Sequence, residues 1–465
     1  MELLLSSGSI AMLVAALLLA CVFEFVNGFH DTANAVATVI YTHSLKPWVA
    51  VVWSGVCNFA GVLLGGIAVA MSIIHLLPFE LVLSGGSAEG MAMVFALLGA
   101  AILWNIGTWF MGLPASSSHT LIGAILGVGL ANGLSTGLGL ADSLQWGKAA
   151  EVGIALLLSP LLGFGGSALL LVLSRRLIKN PALYQTPPAG KPPPLWVRSI
   201  LVVTCTGVSF AHGSNDGQKG VGLFMLILIG LVPASFAVNA GASASDVRAA
   251  HEAVVRIEAA LVRAPEIDPS QRATLARRLA RVNAGTASRE VFGKLDAASR
   301  QAFRRAALRV DDGVKALRRA FPEGLTEAEW RTLGTDVKRV LPLVEYAPTW
   351  VIVAVALSLG VGTMVGWRRI VITVGEKIGK SHLTYAQGAA AELIAMSTIG
   401  VSALVGAPVS TTHVLSSGIA GAMFAQRSGV QMTTVRRIAT AWLLTLPVSM
   451  ALAAGLFVVL RWAFS

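Results

Sequence analysis

The apolar positions of this 465-residue chain fall into long unbroken runs rather than narrow periodic stripes. The clearest are 10–26, 48–71, 91–112, 152–173, 347–366, 393–405 and 439–460. Each approaches the ~20 residues that carry a helix across ~30 Å of hydrocarbon. Read with their neighbours, they predict ten spans, five in each half. These are 8–41 (broken), 48–71, 91–112, 114–131, 149–174, 197–230 (broken), 347–366, 383–406, 407–424 and 438–462. Between 242 and 346 the pattern changes. From His251 to Leu261 apolar residues recur at helical spacing, and Thr326-Glu-Ala-Glu329 has the form of a capping box. That stretch predicts a polar helical insert.

Internal repetition organises the rest. Gly112-Leu-Pro-Ala-Ser-Ser-Ser-His119 matches Gly406-Ala-Pro-Val-Ser-Thr-Thr-His413, 294 residues on. A fainter match pairs His30-Asp-Thr-Ala-Asn34 with Asn215-Asp-Gly-Gln-Lys219, 185 residues on. One insertion near 242–346 reconciles the two registers. The expected organisation is an N-terminal membrane repeat (1–174), a basic Pro-rich cytoplasmic linker (175–198), the first part of a C-terminal repeat (199–241), the insert (242–346) and the remainder of that repeat (347–465). An odd number of spans per half inverts the second repeat relative to the first. That design is recurrent in secondary transporters, which hold substrate near the midplane.

Composition agrees with a lipid solvent. Charged residues are 13% of the chain and mean hydropathy is +0.72, against roughly 25% charged in soluble domains. The formal charge of +11 does not signal nucleic acid, because residues 242–346 hold 19 of the Lys/Arg and 14 of the Asp/Glu. Placing the linker in the cytoplasm puts Arg175, Arg176, Arg368, Arg369, Arg436 and Arg437 on that side, as the positive-inside rule expects; the insert then falls on the periplasmic side. The first apolar run lacks a basic n-region and reads as a retained helix rather than a signal peptide. Cys21, Cys57 and Cys205 have no metal or disulfide spacing and read as small apolar-segment residues.

Few charges lie inside the spans: Glu24, Asp31, Asp216, Lys219 and Glu392. Intramembrane charges are costly and mark function by default. Asp31 and Asp216 hold matching repeat positions. Gly, Asn and hydroxyl residues surround them, so both helices are expected to unwind there and line a cavity. Asp31 with Asn34, and Asp216 with Lys219, are spaced to share a helix face. An Asp–Asn face suits a small hard cation or a proton. An Asp–Lys face holds a charged Lys near an anion, or simply makes an ion pair.

The Gly-x-Pro-x-hydroxyl stretches form the second pair. Pro114 and Pro408 disfavour helix at the preceding residue, and Ser116-Ser117-Ser118 and Ser410-Thr411-Thr412 then supply N-caps. Helix N-termini bind tetrahedral oxyanions through their N–H groups and dipole. His119 and His413 follow as structural histidines or proton-sensitive donors. His30 and His212 are similar but less symmetric. Glu24 and Glu392 lack repeat partners and suit proton traffic or a helix interface.

Gly28-Phe-His-Asp-Thr-Ala-Asn34, Phe210-Ala-His-Gly-Ser-Asn-Asp-Gly-Gln-Lys-Gly220, Gly112–His119 and Gly406–His413 resemble the inorganic phosphate transporter (PiT) family. The resemblance covers essentially all the spans and is closest to bacterial low-affinity Pit-type permeases. It implies inverted repeats, a bacterial inner-membrane location, a homodimer among membrane lipids, and import of inorganic phosphate by proton symport as a neutral divalent metal–phosphate complex, for example with magnesium. Residue by residue, it implies ion and phosphate contacts from Asp31, Asn34, Asp216 and Asn215, and phosphate contacts from the hydroxyls of Ser116, Ser117, Ser118, Ser410, Thr411 and Thr412. The residues themselves add Lys219 as a phosphate contact, His30, His119 and His413 as proton-coupling groups beside Asp31, Asn34 and Asp216, and Asp31 and Asp216 as metal or cation ligands. No resident cofactor is expected. The family pattern has Asn where this chain has His30 and Lys219, which argues against sodium. Sodium coupling and sulfate are the alternatives within transport. An intramembrane enzyme acting on lipid phosphates is disfavoured, because no nucleophile–base pair stands out beyond the histidines.

Overall fold

The computed structural model describes residues 7–31, 33–76, 88–137, 139, 141, 143–144, 146–188, 190–263, 268–320, 322–323 and 325–464, with the side chains at 7–9, 33, 34 and 148 outside that description. The described residues are helical, with one isolated bridge between Gly379 and Val430. They divide into two units at Ile227/Leu228 and Ala347/Pro348.

The larger unit carries the membrane helices. In its first half these are α1 (Ser7–Asp31), α2 (Ala33–Tyr41), α3 (Pro47–Leu64), α4 (Ala68–Ile74), α5 (Ala88–Phe110), α6 (Ser117–Thr136) and α7 (Trp146–Leu177). The linker tightens into a turn at Pro181–Leu183 before α8 (Leu195–Leu231). Among the described residues, seven helices are long and apolar enough to cross a membrane, and one bent pair raises the number to eight. Their outer faces expose Leu64, Leu157 and Leu443 at 71–77%. Apolar surface on that scale marks lipid contact rather than water.

The smaller unit spans Leu228–Ala347. After a short turn α9 (Pro233–Phe236) come α10 (Ala244–Val262), α11 (Pro269–Thr286), α12 (Arg289–Gly293), α13 (Ala297–Leu308), α14 (Val310–Ala320) and α15 (Glu327–Val340). Capping boxes start α10 (Ser243 with Asp246) and α15 (Thr326 with Glu329). Val254, Ile257, Leu279, Phe292, Phe303 and Trp330 build its core. Arg304 is buried in that core and donates to the carbonyls of Ala237 and Val344.

The larger unit resumes with α16 (Thr349–Thr363) and α17 (Arg368–Ile372), which continues as a π-helical turn at Thr373–Lys377. A 56° bend separates α16 from that segment. Then follow α18 (Tyr385–Leu404), α19 (Thr411–Gln426) and α20 (Met432–Phe464).

The repeat is visible in the packing, with the halves exchanged. Against α8, a Cβ at Gly61 of α3 would lie 2.2 Å from Phe210 O; against α1, one at Gly362 of α16 would lie 2.2 Å from Phe25 O. Phe25 and Phe210 are 185 residues apart. Gly127 of α6 meets Met450 O of α20, and Gly421 of α19 meets Phe164 O of α7, again at 2.2 Å each. Thus each half's second span packs on the other half's first, and each half's hydroxyl-tipped helix packs on the other half's last.

One expectation needs correction. The stretch 197–230 is not broken, because α8 runs unbroken through Ala211–Lys219. Gly213 and Gly217 serve contact instead: added Cβ atoms would lie 2.1 Å from Asn58 O and 2.3 Å from Val62 Cγ2. The expected spans 114–131 and 407–424 do form helices, but neither is among the membrane-span candidates. Their first turns are polar, α19 has only 16 residues, and both are buried among other helices.

Candidate functional site

The tips of α6 and α19 are built alike. Gly112 and Gly406 take left-handed backbone, with φ of 67° and 72°, where glycine alone is free of Cβ strain. The chain then turns through each Pro in extended form. Ser116 and Ser410 cap the helices, their Oγ atoms accepting from His119 N and His413 N at 3.2 Å each. The N–H groups of Ser117, Ser118, Thr411 and Thr412 fall in first turns, where helix geometry supplies no acceptor. Both tips therefore present N–H groups and positive dipole ends.

Asp31 ties the tips together. Its carboxylate accepts from Ser117 Oγ at 2.8 Å and from Thr412 Oγ1 at 2.5 Å. Ser117 also reaches Asp216 Oδ2 at 3.4 Å. Lys219 Nζ donates to Asp216 Oδ1 at 2.6 Å, Ser118 Oγ at 2.5 Å and Val409 O at 3.3 Å. Ser118 in turn donates to Val409 O at 3.0 Å. Every one of these side chains is buried.

His212 completes the centre. It precedes Asp216 by one helical turn, so the two share a face of α8. Its Nε2 lies 3.5 Å from Asp216 Oδ2 and 3.8 Å from Asp31 Oδ2, beyond direct hydrogen bonding. Its Nδ1 is fixed by Asn58 Oδ1 at 2.7 Å, and Asn58 donates on to Thr363 at 3.2 Å. Ligand atoms of Asp31, His212 and Asp216 all lie within 4.8 Å of one another. Two carboxylates and an oriented imidazole form a donor set for a cation. The sequence analysis named His212 only as a less symmetric histidine, not as a ligand, and did not single out Asn58; the four-residue spacing from Asp216 was the available signal for His212.

The other predicted residues fall into a second layer. His30 pairs with Thr108 at 3.1 Å, and Asn215 donates to Ser402 Oγ at 3.1 Å. These are the same contact in the two repeats, since both partners shift by the repeat registers. His30 Nδ1 also approaches Asp31 Oδ1 at 3.4 Å. Asn215 spends its remaining donor on Ala407 O, so it braces the turn before α19. His119 and His413 pack as tilted rings with centroids 4.5 Å apart, and His413 stacks on Trp442 at 3.9 Å. Trp442 Nε1 donates to Pro114 O, which closes a link between the tips. The Thr411 hydroxyl has no hydrogen-bond partner among the described residues. The Asn34 side chain lies outside the described residues.

Two further carboxyls are buried among the helices, of which Glu24 lies beside the centre. Glu24 lies against the α-carbon of Gly220, accepts from Asn27 at 3.4 Å, and leaves Oε1 without a hydrogen-bond partner among the described residues. Glu392 accepts from the hydroxyls of Thr38 and Thr204.

A profile of the phosphate transporter family matches residues 27–453. The low-affinity inorganic phosphate transporter PitA of Escherichia coli K12 is 43% identical over 480 residues, covering 96% of each chain. PitB of the same strain is equally identical over the same length. A low-affinity inorganic phosphate transporter of Buchnera aphidicola is 40% identical over 467 residues, covering 95% of each chain. Among solved structures, a sodium-dependent phosphate transporter shares the fold at a TM-score of 0.56 and 19% identity, covering 97% of this chain and 99% of that one. The relatives are transporters, not enzymes, and the helices are those of a multi-pass protein of the bacterial inner membrane. The chain belongs to the phosphate transporter family.

Proposed function

We propose that this transporter imports inorganic phosphate by proton symport, taking it as a neutral complex with a divalent metal, through alternating access of two inverted repeats. The observation that carries this reading is the convergence of Asp31, His212 and Asp216 beside two helix N-termini. A cation held by the three side chains would lie next to N–H groups suited to the phosphate oxygens. The α6 and α19 tips, with Ser117, Ser118, Thr411 and Thr412, would hold the anion. Ser116 and Ser410 act as caps, and Asn215 and His30 hold the surrounding helices in place.

A neutral complex suits the site electrostatically, because a bare phosphate dianion would face two carboxylates at close range. Neutral N–H and hydroxyl donors bind without trapping, so the anion can leave. Glu24 is a buried carboxyl next to the site with one oxygen free of hydrogen bonds among the described residues, and we assign it the travelling proton. The exchanged packing of the halves supplies two equivalent sets of helix contacts, as alternating access requires.

Co-uptake measures this reading. Proteoliposomes loaded with potassium buffer are given radiolabelled phosphate and a radiolabelled divalent metal together. The reading predicts that the two enter in equal amounts and that His212→Ala lowers both. Phosphate entry with no metal entry would overturn the metal–phosphate account while leaving phosphate transport intact.

A further inference from the structure

Lys219 sits in a set of oxygens that proteins normally offer to a metal ion. A carboxylate (Asp216 Oδ1, 2.6 Å), a hydroxyl (Ser118 Oγ, 2.5 Å) and a backbone carbonyl (Val409 O, 3.3 Å) surround its Nζ. Such mixed oxygen donors are the ligands of hard cations. An ammonium has three N–H groups, and these three acceptors engage all of them. The side chain is 2% exposed. Its partners come from α8, from the α6 tip and from the turn before α19, so the charge sits at the junction of both repeats.

The repeat registers show what is unusual here. Asp216 corresponds to Asp31, Ser118 to Thr412, and Lys219 to Asn34. Across the repeats in one direction, Thr412 donates directly to Asp31 Oδ1. In the other, the equivalent carboxylate and hydroxyl are bridged by the Lys219 ammonium. The chain has thus placed a tethered positive charge between two groups that elsewhere meet directly.

We propose that the Lys219 ammonium is a resident cation of the transport site, occupying the position beside Asp216 that a co-transported monovalent cation would otherwise fill, and thereby determines which ion couples to uptake. This rests on the reading of Asp31 and Asp216 as the carboxylates of the cation site. Two carboxylates against one ammonium leave one formal negative charge for an incoming ion. An Asn at 219 leaves two, and adds an amide oxygen to the carboxylate, hydroxyl and carbonyl already present. Sodium is the small hard ion best suited to that set.

The test uses full-length Lys219→Asn, with the neutral Lys219→Gln in its place if the first fails to fold. Saturable binding of radiolabelled sodium is measured in detergent, and phosphate uptake is measured in proteoliposomes with sodium exchanged for choline. The proposal predicts no saturable sodium binding in the wild type. It predicts saturable binding in the variant, lost again on adding Asp216→Asn, and phosphate uptake that rises several-fold with sodium. A folded variant that binds no sodium overturns the proposal, whether or not it transports, as does a wild type that binds sodium saturably. Wild-type uptake that needs no metal or proton gradient would instead overturn the coupling reading, and the binding arm keeps the two failures apart.

Discussion

The Ser117 hydroxyl donates to Asp31 Oδ2 at 2.8 Å, tying the N-terminus of α6 to the end of α1. Thr412, at the tip of α19 in the second repeat, donates to Asp31 Oδ1 at 2.5 Å. A single carboxylate therefore holds both helix tips. Any step that protonates or loads Asp31 changes the hydrogen bonds of both tips at once.

Asp31→Asn and Asp216→Asn should each reduce gradient-driven phosphate uptake to the background of empty liposomes. Neither should unfold the protein, because an amide keeps the shape and one acceptor oxygen. Uptake together with size-exclusion profiles in detergent checks both halves of the statement. Full uptake in either variant removes that carboxylate from the mechanism.

Glu24→Gln should separate transport from coupling. The side chain keeps its volume against Gly220 but cannot release a proton. Exchange of external for internal phosphate should persist, while accumulation driven by a pH gradient should fail. A variant that still accumulates phosphate against its gradient would show that the proton travels elsewhere.

Gly362→Ala places a methyl 2.2 Å from Phe25 O, and Gly61→Ala does the same against Phe210 O. Backbone cannot yield as a flexible side chain would. Overpacking of this kind costs about 1–3 kcal/mol. The two substitutions should lower the thermal transition in detergent by similar amounts, since they disturb equivalent contacts. Gly400→Ala, with open space around it, is the control that should leave the transition in place.

The polar unit has its own pH signature. Burial pushes the half-buried Glu345 carboxyl from its ordinary 4.5 up to about 7, opposed by the Arg304 guanidinium. A carboxyl whose pKa is raised by folding binds its proton more tightly when folded. Its contribution is complete below about 4.5 and is lost as pH rises to about 7, at up to about 1.4 kcal/mol per pH unit. Hydrogen exchange in α13 and α15, corrected for intrinsic rates, should show protection falling over that window, and Glu345→Gln should flatten the fall. Deleting 242–346 should leave some transport, because every contact of the central site is made by residues outside that stretch.

Much of the arrangement was legible in the residues. The paired Pro-x-hydroxyl-x-x-His stretches gave the two caps, since a cap depends on local sequence alone. The shared registers anticipated equivalent contacts, now seen in His30 with Thr108 and Asn215 with Ser402. Tertiary roles were harder to read. Gly213 and Gly217 suggested a broken helix, whereas they let α3 approach α8; a glycine's sequence context does not say which use it serves. Asn58 entered the site only because α3 crosses α8 there, a contact between segments with no sequence motif in common. The hydroxyls of Thr38 and Thr204 meet Glu392 for the same reason.

The most direct measurement is radiolabelled phosphate uptake into proteoliposomes under an imposed pH gradient, with and without magnesium, and with sodium exchanged for potassium. Proton-coupled import of a metal–phosphate complex predicts uptake driven by the proton gradient, raised by magnesium and unchanged by the sodium exchange. Uptake that requires sodium and ignores the pH gradient would contradict it.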